Sequence, residues 1–77
     1  MKDQSLDEFL AKRTANAMKR IEEEIYIEVS EGICAFFNAG NVSDLTEDEI
    51  QKVSDAEKER DKGFLKLGYN LVLKRRN

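Results

Sequence analysis

Apolar residues recur through the first third of the chain at Leu6, Leu10, Ala17, Met18, Ile21 and Ile25. Steps of three, four or seven place all of them on one stripe of a helix. Ser5 stands before this stripe with Glu8 three residues later, the spacing of a capping box. Asp7 and Glu8 suit the positive end of the helix dipole. Lys19 with Glu23, and Arg20 with Glu24, are opposite charges one turn apart, a spacing that supports a helix.

Residues 25–37 admit two patterns. Ile25-Tyr26-Ile27-Glu28-Val29 is β-branched and alternating, so it can be a strand. Ser30-Glu31-Gly32 would then turn into a second strand, Ile33 to Phe37. The other pattern continues the helix, because Ile21, Ile25, Val29, Ile33 and Phe36 extend the stripe. Gly32 in mid-helix would cost about 1 kcal/mol against Ala, which burial can offset. The helical pattern is favoured. Asn38 or Gly40 can then take the left-handed conformation that closes it.

Thr46 and Glu49 form a second capping-box pair, with Glu47 and Asp48 also in the first turn. Ile50, Val53, Ala56, Phe64, Leu67 and Leu71 give the next stripe. It is interrupted by the charged run Glu57 to Lys62, read as a solvated face or exposed helical turn. Gly63 and Gly68 are places for a bend or an end.

The pattern therefore predicts an all-α single domain. A tail at 1–4 leads into a helix at 5–38, a loop at 39–45, a helix at 46–68 and a basic C-terminal segment at 69–77. The two helices would form an antiparallel hairpin, pairing with a second copy into a helical bundle. The alternative is α+β, in the order α-β-β-α with a hairpin at residues 25–37.

Composition sharpens this. A 77-residue chain buries only about 60% of its unfolded surface. Its one cysteine, Cys34, allows no internal disulfide, and the absence of His and of any CxxC removes the usual zinc ligands. Self-association is the remaining source of burial, so a homodimer is expected. A helix apolar on more than one side needs more than one neighbour, and in a two-helix protein a second copy would supply it.

The missing His also removes the Ser-His-Asp and Cys-His arrangements, and no glycine-rich phosphate loop is present. Neither acid cluster, Glu22-Glu23-Glu24 nor Glu47-Asp48-Glu49, has calcium-loop spacing. The chain is expected to be no enzyme and to carry no cofactor or metal. No apolar run approaches a membrane span, and the opening MKDQSLDEF carries acids where a secretory signal needs bases. A cytoplasmic protein is expected, with no membrane partner.

Binding is what remains. The richest apolar segment offers Ile25, Tyr26, Ile27, Val29, Ile33, Phe36 and Phe37 as a protein interface. The second helix offers an acidic partner face of Glu47, Asp48, Asp55 and Glu59. Charge is unevenly spread: residues 44–61 carry eight acids and three bases, net −5, while residues 62–77 carry five bases and no acid. Acids at a helix start and bases at its end complement the macrodipole. The basic end also makes Lys62, Lys66, Tyr69, Lys74, Arg75 and Arg76 candidate nucleic-acid contacts. The expected function is a small regulator or inhibitor that binds a larger protein as a homodimer. The alternative is an accessory protein on nucleic acid.

Overall fold

The computed structural model describes residues 5–15 and 21–76. The expected tail at 1–4, the stripe members Ala17 and Met18, the cations Lys19 and Arg20 and the final Asn77 lie outside them. Among the described residues there are four α-helices and no strand: α1 at Leu6–Arg13, α2 at Glu22–Phe37, α3 at Glu47–Glu59 and α4 at Phe64–Arg75. A 3-10 turn at Val42–Asp44 lies between α2 and α3. The fold is all-α, and residues 25–37 are helix, not hairpin. The two long helices expected at 5–38 and 46–68 are each divided.

The first division follows Thr14. Ser5 caps α1 at its start by accepting from the Glu8 N–H at 3.1 Å. At its end the buried Thr14 hydroxyl donates to the Leu10 carbonyl at 2.7 Å. The same carbonyl also accepts the Thr14 N–H at 2.9 Å, and the next N–H, of Ala15, turns to the Lys12 carbonyl at 3.4 Å, an i→i+3 bond that tightens the end of the helix. Ile21 then stands extended before α2 and is 66% exposed, so it does not belong to the apolar stripe in which the pattern placed it. Within α2, Ile25, Val29, Gly32 and Ile33 are buried as the 3.6-residue spacing requires. Asn38, at φ 59° and ψ 43°, closes the helix in the left-handed conformation, and the Ala39 N–H donates to the Cys34 carbonyl at 2.8 Å.

The second division falls in the charged run. Thr46 and Glu49 make the full capping box: the Glu49 N–H donates to Thr46 Oγ1 at 3.1 Å, and the Thr46 N–H to Glu49 Oε1 at 2.9 Å. The helix so started ends at Glu59, and Arg60 is extended. Lys66 of α4 donates to the Glu57 carbonyl at 2.9 Å and pairs with the Glu57 carboxylate at 2.7 Å. A cation thus meets the negative end of α3. Gly63, at φ 108° and ψ −171°, starts α4 from a backbone region open almost only to glycine. Restarting the helix there resets its phase. The buried face of α4 is Leu65, Gly68, Tyr69 and Val72, with Leu71 beside it, while Phe64 and Leu67 of the expected stripe are half-buried.

Because a Cβ at Gly63 would meet nothing within 4 Å, an alanine there tests the backbone alone. Gly63→Ala should lower stability by about 1–2 kcal/mol. Chemical unfolding monitored by circular dichroism would read it, and an unchanged midpoint would show that the α3–α4 corner tolerates a second geometry.

The helix α2 is central, packed on α1 along one side and on α4 along another, and α3 completes the body against α4. Leu6 and Leu10 of α1, Ile25, Val29 and Ile33 of α2, Val53 of α3 and the α4 face share one core. The second neighbour that α2 requires is therefore supplied within the chain, so its second apolar side does not call for another copy. A chain of 77 residues would still gain burial from one. Among the described residues no helix is long and apolar enough to cross a membrane.

Candidate functional site

Three residues of the expected apolar interface are core. Ile25 is 6% exposed, and Val29 and Ile33 are fully buried. Their stripe is spent on α1 and α4, which corrects their assignment to a partner surface. Ile27 is exposed on the opposite side of α2. Tyr26 is half-buried beneath the Arg75 guanidinium, 4.6 Å from its ring centre. Phe36 and Phe37, at the C-terminal end of α2, are half-buried and meet edge to face at 4.9 Å, with Phe9 of α1 5.3 Å from Phe36.

Of the acidic face, Glu47 and Asp48 lie exposed in the first turn of α3, where the dipole favours them. Asp55 and Glu59 lie about two and three turns further along. They border a groove of ≈ 510 Å³ between the start of α1, the end of α2 and the outer side of α3. Leu6, Phe36, Phe37 and Ala56 supply its apolar part, and Asp7, Lys52 and Arg60 also line it. Two features far apart in sequence, the paired phenylalanines and the α3 acids, thus share one surface.

At one end of the groove stands a polar cluster that no local pattern announced. Asp7 accepts from Arg60 Nη1 at 3.0 Å and from the Tyr69 hydroxyl at 2.9 Å. It joins α1 to the end of α3 and to α4 across 53 and 62 residues of chain. Arg60 Nε is enclosed and has no hydrogen-bond partner among the described residues. Tyr69 is fully buried, so it cannot stack on a nucleic-acid base as the basic C-terminal segment suggested. Burial first, then the hydrogen bond and charge of Asp7, push its phenol well above the ordinary value of 10.0, with Arg60 pulling it part of the way back.

The pH consequence follows. Below about pH 10 the phenol is protonated in both the folded and the unfolded chain, and its contribution is complete. Above that, the unfolded chain releases a proton that the folded chain keeps, so stability falls as pH rises. Melting temperatures from pH 8 to 11 should fall, and the fall should be shallower in Tyr69→Phe; equal slopes would show that Tyr69 does not carry the effect.

The remaining basic residues are divided between internal pairs and solvent. Lys66 is held by Glu57, and Arg75 donates to Glu23 Oε1 at 2.9 Å. Lys62, Lys74 and Arg76 are exposed and make no ion pair among the described residues. A second cavity of ≈ 610 Å³ is lined by Tyr26, Ser30, Cys34, Asn41, Arg75 and Arg76, among others. Burial first, then the charges of Asp44 and Glu31, push the Cys34 thiol up. That keeps it a thiol and opposes a role as nucleophile.

Compared with protein families, curated proteins and solved structures, the chain matches none.

Proposed function

We propose that the chain is a small cytoplasmic binding protein that regulates or inhibits a larger protein by docking on it, with no chemistry of its own. The observation that carries this reading is the groove, where Phe36 and Phe37 meet Asp55 and Glu59. An apolar floor with a charged border is the composition of a surface that excludes water at its centre and selects by charge at its edge. The core closes within one chain, and Phe36, Phe37 and Ala56 pack against it while keeping part of their surface uncovered.

The test is retention of host proteins on the immobilised chain. A partner held by the native protein and lost with Ala56→Glu, a substitution on the half-buried side of α3 facing the groove, supports docking there. A partner held equally by both proteins removes the groove from the function.

The exposed Lys62, Lys74 and Arg76 favour a second reading, contact with nucleic acid. Three such cations would give a shallow salt dependence. DNA or RNA retention at low salt, lost when Lys62, Lys74 and Arg76 become Ser, would move the function to that surface.

A further inference from the structure

We infer that the groove takes an amphipathic segment of a partner protein, presenting apolar side chains flanked by lysine or arginine. This rests on the docking reading and adds the chemistry of the occupant.

The apolar half follows from the floor. Leu6, Phe36, Phe37 and Ala56 are contributed by three helices and come together at the groove. Phe36 and Phe37 keep part of their rings uncovered beside the edge-to-face contact that fixes their orientation. Two rings held in place lose little freedom when a partner covers them, so apolar area buried there converts to binding with a small ordering penalty.

The basic half follows from charge. The α3 helix carries six acids and two bases, for a net −4. Of the two cations on the groove, Arg60 pairs through Nη1 with Asp7 at 3.0 Å, and Lys52 leans towards Asp48 at 4.0 Å, with the Lys52 and Asp48 side chains largely exposed. The acids on the same edge are not balanced in this way. Among the described residues, Asp55 accepts from the neutral amide of Gln51 at 2.9 Å and makes no ion pair. Glu59 makes no ion pair among the described residues. The two stand four residues apart on α3, so their carboxylates line one edge about 6 Å apart at Cβ. Cations one helical turn apart on a partner would meet both. Such border contacts act chiefly on partner choice and association rate, and salt weakens them.

The experiment uses two synthetic helical peptides with the same leucine and phenylalanine face, one flanked by lysines and the other by glutamates. Each is titrated into the full chain while backbone amide shifts are followed. The lysine peptide should shift the amides of Leu6, Phe37, Ala56 and Glu59 to saturation, and the glutamate peptide should not. With Asp55→Lys and Glu59→Lys together, both at exposed positions, the lysine peptide should bind about tenfold more weakly. Equal binding of both peptides at the groove would overturn the charge inference and leave docking standing. No groove shift with either peptide, or shifts confined to the end of α4, would overturn the occupant, and the fate of the docking reading would then rest on the Ala56→Glu result. Groove shifts that grow with protein concentration before any peptide is added would also overturn it, by making a second copy of the chain the occupant.

Discussion

Replacing Gly68 by alanine should destabilise the protein by about 2–3 kcal/mol, although alanine is the better helix former. Gly68 marks the crossing of α4 over α2. A Cβ built there would lie 2.9 Å from Val29 Cβ and 3.2 Å from its Cγ1, with Cγ2 nearer still. Val29 is fully buried and β-branched, so its side chain has one strongly preferred position in a helix and cannot swing aside. The two helices would have to separate, and the loss would spread to Tyr69 and Val72 on the same face. Gly32 makes a useful contrast. Its added Cβ would meet Leu10 Cδ2 and, at 3.0 Å, Arg13 Cδ, both towards the ends of longer side chains. Gly32→Ala should therefore cost much less, the gain in helix propensity offsetting part of the crowding. Urea unfolding of both variants, and of Gly68→Ala combined with Val29→Ala, would check this. If the clash is the cause, the double variant will be more stable than the sum of the two single losses. A Gly68→Ala protein as stable as the parent would refute the close crossing.

Asp7→Ala should cost about 2 kcal/mol, more than an exposed carboxylate normally contributes. Asp7 is about one-third exposed, and its ion pair with Arg60, itself 39% exposed, is screened by solvent. The larger loss comes from Tyr69, whose hydroxyl would remain in the core without its acceptor. The same substitution made in Tyr69→Phe should accordingly cost less, since no buried hydroxyl is left unpaired. A double-mutant cycle by thermal unfolding measures the difference. Equal costs in the two backgrounds would show that Asp7 acts through Arg60 alone.

Local signals were legible in this chain where they bear on local structure. The caps at Ser5 and Thr46, the left-handed stop at Asn38 and the helical state of residues 25–37 all follow from spacing within one or two turns. The places where helices end inside an apolar stripe did not. Thr14 stands at the end of α1 with a hydroxyl bond that many mid-helix threonines also make, so its residue type does not mark the end. Ile21 kept the spacing of a stripe while standing outside the helix. The charged run before Gly63 was a true break, yet it has the composition of a solvated helical face. Missing it shifted the α4 face, because a restarted helix need not keep the angle of the one before it. The groove was half legible: Phe36, Phe37, Asp55 and Glu59 were named as binding residues, but nothing in their spacing showed that they adjoin. The joining of Asp7 to Arg60 was beyond any local pattern, since the Asp7 contacts span more than 50 residues.

The Asp7 tie to Arg60 and Tyr69 also bears on the order of folding. The helices α3 and α4 adjoin along the chain, so their pairing can form early at modest entropic cost. The Asp7 contacts close loops of 53 and 62 residues, and closure entropy delays such contacts until the rest of the body offers them a fixed target. An eight-residue helix is too short to persist alone, so α1 should condense late. Removing the Asp7 carboxylate should then accelerate unfolding while leaving the refolding rate almost untouched.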